Sequence, residues 1–475
     1  MNSADAAWLH MDRPTNLMVV NSVLWFDEPM DLERGREVVR ERLVERFPRF
    51  RQRIVESRAG VGLPVWEDDP NFDLDRHLHH IALPAPGDTP ALQELIGDLI
   101  STPLDRSKPL WDIYIIDGYG KGMAHVYRMH HSIADGIALA RLLLSMTDER
   151  PDAGIVPATD GTPGRARLAP VRRPLAAGAH LVGAAMHEGF DVLAHPRSEV
   201  RDLAGNTAED ARALAKLMLT PPEHENALRG QLGVRQKVAW TTGIPLDEVK
   251  AIGHATGSTV NDVLVAAITG ALRRYLIDRH TLVDELRAMV PFNLRPLDQP
   301  LPRELGNRFG LVYLQLPVGI RGRRQRLDEI HRRMDSIKNS PEGAMSYGIL
   351  GLIGLTPPQV ERRLVNMFAS KSTLVLTNVP GPRQPVYFAG TRVAGVIPWV
   401  PAGGSIGLGV SIFSYDGRVT VGIRADAGII SEPATIIEAF ERELDEMARL
   451  GKRSTRRIAS PAVPKHSARQ SAEAR

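Results

Sequence analysis

The most informative residues of this sequence form one short run: Met129-His130-His131-Ser132-Ile133-Ala134-Asp135-Gly136. An apolar run at 124–127 comes before it and indicates a β-strand, whereas the apolar run at 137–144 after it indicates a helix. We therefore expect two adjacent histidines at the end of a strand and an Asp-Gly pair that opens the following helix.

His131 and Asp135 are four residues apart across this turn. A neutral imidazole there can take a proton from a hydroxyl group, because its unperturbed pKa lies near neutrality. A carboxylate at a helix start is stabilised by the helix dipole and stays ionised, which suits Asp135 to holding the local geometry. A histidine at a strand end is often structural, so the His-His pair alone does not establish catalysis.

The complete pattern His-His-x-x-x-Asp-Gly, between a strand and a helix, resembles the active-site motif of the bacterial wax ester synthase/diacylglycerol acyltransferase family. That family belongs to the coenzyme A-dependent acyltransferases related to chloramphenicol acetyltransferase. The resemblance implies catalytic roles for His131, His130 and Asp135, with support from Gly136. It also implies an α/β fold with two chloramphenicol acetyltransferase-like domains, each a mixed β-sheet flanked by helices, and a central tunnel between them.

The resemblance extends over nearly all of residues 1–450, including a Pro-Leu-Trp segment at 109–111 and an Asn-Asp pair at Asn261 and Asp262. Trp111 is equally well explained as a core residue. Asn261 and Asp262 are equally well explained as the start of a helix capped by Ser258 or Thr259.

Two more site residues are implied by the family. The segment at 373–382 is similar to its Asn-Val-Pro-Gly-Pro motif and makes Thr377 and Asn378 candidates for lining the site or donating to an oxyanion. In related two-domain acyltransferases an arginine from the second half pairs with the motif aspartate, and Arg295 is the residue that we assign to this role.

The composition fits a globular chain of two domains. The 475 residues are 43% hydrophobic and 24% charged, and no apolar run approaches the ~18 residues that a membrane span needs. The N-terminus lacks the pattern of a signal peptide, so a cytoplasmic protein is expected. The absence of cysteine excludes disulfides, thiolate metal sites and a cysteine nucleophile.

The expected domains are an N-terminal acyltransferase domain at 1–150, a linker with helices at 151–233, a C-terminal acyltransferase domain at 234–450 and a basic disordered tail at 451–475. Net charge is +3, and the tail, with seven Lys/Arg and one Glu, contributes +6 and leaves the body at −3. Helices are expected near 175–193 and 207–219. The first follows a basic run, so it either lies on a membrane surface or packs across the domains. Nucleic-acid binding is not expected, because no aromatic residues accompany the tail charges.

Two other motifs in the sequence resemble sites for different chemistry. His77, His79 and His80 lack the carboxylate cluster of a metal site, so we expect a surface or groove strand and no bound metal. The run at 403–407 matches the Gly-x-Ser-x-Gly nucleophile elbow, but an alternating strand pattern follows it where the elbow needs a helix. Moreover, only His466, in the basic tail, could complete a serine triad in the required order.

The expected reaction is direct acyl transfer, with His131 as general base, acyl-coenzyme A as co-substrate and no bound cofactor. The family implies diacylglycerol or a long-chain fatty alcohol as acceptor, and peripheral attachment to a membrane or to lipid droplets. Asn261 and Asn378 are candidate donors, and His130 orients its neighbour or lines the groove. Two alternatives stay open: a condensation-domain-like transferase that uses carrier-protein thioesters, and a non-catalytic lipid-droplet-binding protein. The sequence does not define the acceptor, the acyl chain length or the oligomeric state.

Overall fold

A computed structural model describes residues 1–56, 62–155, 219–293, 301–338, 346, 356 and 358–459. The linker helices expected near 175–193 and 207–219, Arg295 and His466 lie outside the described residues, apart from the last residue of the second helix. The helices are α1 (Ser3–Met11), α2 (Leu32–Val39), α3 (Thr89–Ile100), α4 (Gly136–Ser145), α5 (Leu246–Thr256), α6 (Val260–Asp278), α7 (Arg323–Lys338), α8 (Pro358–Ala369) and α9 (Ala434–Ala459).

The strands of the first half are β1 (Val19–Phe26), β2 (Gln52–Val55), β3 (Val65–Asp68), β4 (Leu78–Ala82), β5 (Trp111–Tyr119) and β6 (Gly122–His130). Those of the second half are β7 (Gln236–Trp240), β8 (Ile244–Pro245), β9 (Leu286–Asn293), β10 (Phe309–Leu316), β11 (Leu374–Pro380), β12 (Tyr387–Phe388), β13 (Thr391–Trp399), β14 (Leu408–Tyr415) and β15 (Arg418–Asp426).

These strands form two large mixed sheets, which confirms the expected fold class. The first has the order β12-β13-β1-β6-β5-β4, and its β4–β5 pair is parallel. The second has the order β10-β9-β11-β14-β15-β7, and β11 runs parallel to both of its neighbours. A separate hairpin pairs β2 with β3. Each large sheet has its own buried apolar core.

The second half of the chain contributes strands to the first sheet. β13 pairs antiparallel with β1, placing Asn21 opposite Trp399, and β12 follows it at the sheet's edge. β13 also lies close to the second sheet, where a Cβ at Gly422 would be only 2.8 Å from a side-chain carbon of Ile397. The cores therefore touch through β13 and β15, which brings the two sheets within reach of one site.

Local sequence signals account for several element boundaries. Asp31 and Thr259 accept hydrogen bonds at the starts of α2 and α6, and Gly257 ends α5 with a φ of +69°. Trp111 is fully buried and donates its indole N–H to the Phe50 carbonyl, as expected of a core residue.

β6 lies between β1 and β5, so His131 follows an interior strand of the first sheet. The last helix extends beyond its expected end. The tail was expected to be disordered from residue 451, but α9 continues to Ala459. No proline interrupts this part of the chain, and basic residues are favourable at the C-terminal end of a helix. Within the described ranges, no helix is both long and apolar enough to span a bilayer.

Candidate active site

The His131 ring is held between aromatic side chains from both halves of the chain. Its backbone N–H donates to the Met18 carbonyl at 2.7 Å, which fixes the end of β6 against β1. Trp8 of α1 stacks on the ring, with centroids 3.9 Å apart and planes 23° apart. Phe309, at the start of β10, lies on it at 5.6 Å and 52°. Packing therefore limits how far this imidazole can rotate.

The two ring nitrogens of His131 have different surroundings. Nδ1 is buried and accepts or donates no hydrogen bond among the described residues. The His131 ring lines a cavity, and the structure records no such burial without a partner for Nε2. Burial lowers the pKa of His131 to about 4, against the opposing effects of the Asp135 charge, its own backbone carbonyl and Asn307. The imidazole is therefore neutral at pH 7 and able to accept a proton.

Asp135 joins the histidine turn to the second half of the chain. It is the N-cap of α4, and its Oδ1 accepts from the Ala138 N–H at 2.8 Å. Its Oδ2 accepts from the Arg308 N–H at 3.0 Å. The carboxylate thus binds one backbone donor from each half. The expected pairing of Asp135 with Arg295 stays a prediction, because Arg295 lies outside the described residues.

A second contact between the halves was not expected from the sequence. The Asn307 side chain donates to the His131 carbonyl at 2.8 Å and to Asp5 Oδ1 at 2.8 Å. The Asn307 backbone N–H donates to the same Asp5 oxygen at 3.0 Å. No local pattern marks Asp5 or Asn307 in the sequence, because their partners are some 300 and 176 positions away.

The cavity beside His131 is lined mainly by apolar side chains from both halves. α8 contributes Val365, Phe368 and Ala369, the strands contribute Val20, Met289, Leu311, Tyr313 and Val375, and Val400 follows β13 directly. Tyr313 donates its hydroxyl to the Phe368 carbonyl at 2.9 Å, so this phenol offers little polarity to the space. An apolar space that reaches one neutral imidazole suits a hydrocarbon chain.

The structure brings several of the other expected residues to this cavity. Gly136, Thr377 and Asn378 line it together with His131 and Asp135. A Cβ at Gly136 would lie 2.9 Å from Val400 Cγ1, so a side chain here would press into the opposite wall. The catalytic and supporting roles expected of these five site residues stay predictions.

Asn261 and Asp262 do not line the cavity. Asn261 Oδ1 accepts from the Asn378 amide at 2.5 Å, so it touches the site through that neighbour. Asp262 is fully buried at the start of α6, where it forms a capping box with Thr259 and lies 2.7 Å from the His331 ring. This geometry matches the helix-start interpretation of the Asn-Asp pair.

His130 is turned away from the cavity. Its Nδ1 lies 2.8 Å from the Ser132 hydroxyl, its Nε2 is 3.8 Å from Asp12, and burial lowers its pKa to about 4. Successive side chains at a strand end point to opposite faces, so His131 faces the cavity and His130 does not. Of the two alternatives for His130, lining the groove or orienting its neighbour, the second fits this geometry better, and it stays a prediction.

The histidines at 77–80 and the Gly-x-Ser-x-Gly run occupy structural positions. His77 contacts the Trp111 carbonyl at 2.7 Å, and His79 and His80 contact Asp112 and Asp117 at 3.0 and 2.6 Å. In the part of the chain that the structure describes, no three His, Asp or Glu side chains are grouped as metal ligands. The Gly-x-Ser-x-Gly run at 403–407 leads into strand β14 as expected, not into the helix that a nucleophile elbow needs.

Comparison with known families assigns the chain to one of them. Residues 1–264 match the wax ester synthase/diacylglycerol acyltransferase catalytic domain, and residues 305–448 match the C-terminal domain of the same enzymes. The chain belongs to the wax ester synthase/diacylglycerol acyltransferase family. It is therefore an acyltransferase of this family, whose members use acyl-coenzyme A. The family expected from the His-His-x-x-x-Asp-Gly motif is confirmed.

Individual relatives agree with this assignment. The chain is 29% identical over 464 residues to a putative diacylglycerol O-acyltransferase of Mycobacterium tuberculosis strain CDC 1551, covering 94% of this chain and 89% of the relative. It is 30% identical to a probable diacylglycerol O-acyltransferase of M. tuberculosis strain H37Rv, covering 85% and 86%.

Solved structures with a similar fold include two kinds of enzyme. The wax ester synthase/diacylglycerol acyltransferase from Marinobacter aquaeolei VT8 superposes with a TM-score of 0.67 at 23% identity, covering 94% of this chain and 98% of that one. The first condensation domain of the CDA synthetase superposes with a TM-score of 0.59 at 17% identity, covering 95% of both chains. At these identities the likeness concerns the fold.

Proposed function

We propose that this family member transfers a long-chain acyl group from acyl-coenzyme A to a lipid alcohol, with His131 as the general base. The acceptor is diacylglycerol, giving triacylglycerol, or a long-chain fatty alcohol, giving a wax ester. The observation that carries the proposal is the position of His131, a neutral imidazole whose ring lines a mainly apolar cavity.

The proposed step needs no covalent enzyme intermediate. His131 Nε2 removes the proton from the acceptor hydroxyl as the oxygen attacks the thioester carbonyl carbon. The new C–O bond forms, the C–S bond breaks, and the imidazolium returns its proton to the departing thiolate, giving an ester and free coenzyme A. Acid–base assistance of this kind contributes about 10²- to 10⁴-fold to the rate.

The remaining acceleration comes from positioning and from hydrogen-bond donors near the developing oxyanion. In this proposal Asp135 fixes the histidine turn through its two backbone donors and through Arg295. Thr377 and Asn378, which line the cavity, are the candidate donors, and Asn261 orients Asn378 through their 2.5 Å contact.

The cavity supports a lipid substrate for a simple energetic reason. Each methylene that leaves water for an apolar wall gains about 0.8 kcal/mol, so the acyl chain supplies most of its own binding energy. We expect the enzyme to meet such substrates at a membrane surface or a lipid droplet.

The decisive experiment incubates the purified protein with radiolabelled palmitoyl-coenzyme A and either dipalmitoylglycerol or hexadecanol. Labelled triacylglycerol or wax ester is separated by thin-layer chromatography, and released coenzyme A is followed with a thiol reagent. The chain contains no cysteine, so the protein gives no thiol background.

His131→Ala is expected to remain folded and to lose transfer by at least 10²-fold. His254→Ala, at an exposed helix position, is the matched control and should retain wild-type turnover. Near-wild-type turnover by His131→Ala would refute the role of His131 as base. A palmitoyl-carrier-protein donor in a parallel reaction tests the alternative transferase chemistry, and no product from any donor would leave the lipid-binding alternative.

A further inference from the structure

We infer that Asn307, from the second half of the chain, and Asp5, from helix α1, are positioning residues that hold His131 at the cavity, an inference that rests on the proposed function. Two hydrogen bonds link three residues: the Asn307 side-chain amide donates to the Asp5 carboxylate and to the His131 carbonyl. Asp5, Asn307 and His131 are all at least 97% buried.

One amide group serves both neighbours. A primary amide carries two N–H donors, and Nδ2 of Asn307 directs one to Asp5 and one to the His131 carbonyl, both at 2.8 Å. Since the Asp5 oxygen also binds the Asn307 backbone N–H, the direction of the amide is set by the carboxylate. A buried carbonyl that loses its donor is costly, so the His131 backbone favours this one position.

The next residue contacts the other end of the same turn. Asn307 binds the carbonyl of His131, and the Arg308 N–H binds the carboxylate of Asp135. Two consecutive residues of the second half therefore hold the first and last residues of the catalytic turn.

Helix α1 completes the arrangement from the other side. Asp5 and Trp8 are three residues apart, so they lie on the same face of this helix, where Asp5 reaches Asn307 and Trp8 stacks on the His131 ring. Gly306 allows the close approach, because a Cβ there would be 3.3 Å from Asp5 Oδ2. The backbone and the ring of His131 are thus both positioned with the help of one short helix.

The kinetic test compares Asn307→Ala and Asn307→Leu, whose side chains cannot donate to either neighbour, with a matched control. Asn226 is also a buried asparagine that bonds backbone groups, but it does not line the cavity, so Asn226→Ala controls for loss of stability. Displacement of a catalytic group by about 1 Å can cost 10²-fold in rate. We expect both Asn307 variants to lose 10- to 10²-fold in kcat with KM for palmitoyl-coenzyme A changed less than threefold.

A double-mutant cycle tests whether Asp5 acts on His131 through Asn307. Because Asp5 acts through Asn307, the Asp5→Ala/Asn307→Ala protein should lose no more kcat than Asn307→Ala alone. Multiplied losses in the double variant, or an Asn307→Ala kcat equal to that of Asn226→Ala, would overturn the inference.

A readout without substrate separates this inference from the proposed function. Diethyl pyrocarbonate modifies neutral imidazoles, and the modified His131 peptide can be followed by mass spectrometry. Asn307→Ala should raise the modification rate of His131 severalfold while Asn226→Ala leaves it unchanged. An unchanged rate in Asn307→Ala counts against positioning whether or not the wild-type protein transfers acyl groups. Conversely, an inactive wild-type protein with the expected change in labelling counts only against the proposed function.

Discussion

Trp8 lies against His131 with the two ring centroids 3.9 Å apart, although the residues come from an N-terminal helix and from the end of β6. This stacking fixes the plane of the imidazole and closes one side of the cavity. We predict that Trp8→Ala lowers stability by about 3–5 kcal/mol, the usual cost of removing a buried tryptophan, and lowers kcat as well. Trp8→Phe, which retains an aromatic face, should recover most of both. Urea unfolding and the palmitoyl transfer assay provide the two measurements. Full kcat in folded Trp8→Ala would show that stacking is not needed for turnover.

Asp135→Asn should lower activity mainly through loss of stability. Asparagine is an equally good N-cap, but it has only one carbonyl oxygen and cannot accept from both Ala138 and Arg308. Loss of one hydrogen bond to a buried charge costs about 1.5–3 kcal/mol. The melting temperature and kcat should therefore fall together.

Asp31→Asn is the matched control for this substitution. Asp31 caps α2 through the Arg34 N–H on an exposed part of the surface, and it does not border the cavity. Its replacement should leave the melting temperature and kcat nearly unchanged. If Asp135→Asn abolished turnover while its melting temperature stayed at the wild-type value, Asp135 would have a more direct part in the chemistry.

The features that the sequence predicts well are those with local causes. The N-cap at Asp135 depends on residues within three positions, and the apolar run at 124–127 identified β6. The family motif added the two-sheet fold, which local patterns alone do not determine. The helical start of the tail was missed because its basic residues were interpreted as a disorder signal, although they are compatible with the end of a long helix.

The contacts that complete the site have no local signal. Trp8, Asp5 and Asn307 come from an N-terminal helix and from the segment before β10, and only folding brings them to His131. His130 is a different case. The motif contains both histidines, but only His131 lines the cavity. Sequence spacing identifies the turn, whereas the orientation of its side chains depends on packing.

Acid should destabilise this protein because it buries neutral histidines. Burial lowers the pKa of His125 to about 3 and that of His77 to about 4, below the value of about 6.5 for an unfolded chain. The unfolded state therefore binds more protons than the folded state below pH 6.5, so stability is lost as pH falls from 6.5 towards 4. For His125 alone the loss between pH 7.5 and pH 5 is about 2 kcal/mol.

His125→Phe tests this pH dependence. The His125 ring packs against Phe26 and Phe388 at 5.0 and 5.5 Å, and its Nε2 is buried without a partner among the described residues, so phenylalanine suits the site. Urea unfolding at pH 7.5 and pH 5 should show a smaller loss for the variant by about 2 kcal/mol. An identical pH dependence in the two proteins would mean that His125 is protonated in the folded state or is not buried in solution.

Gly136→Ala should impair transfer by crowding the cavity rather than by disturbing the helix. Alanine is a better helix former than glycine by up to about 1 kcal/mol, so α4 itself would tolerate the change. The new Cβ would lie 2.9 Å from Val400 Cγ1, and both residues line the cavity next to Asp135. We expect a severalfold loss in kcat/KM, with recovery in the Gly136→Ala/Val400→Ala double variant because the second substitution removes the clashing methyl group. Val400→Ala alone is the control and should keep near-wild-type kcat/KM. If the double variant stayed as slow as Gly136→Ala, the glycine would be needed for the backbone of the turn itself and not for the space beside Val400.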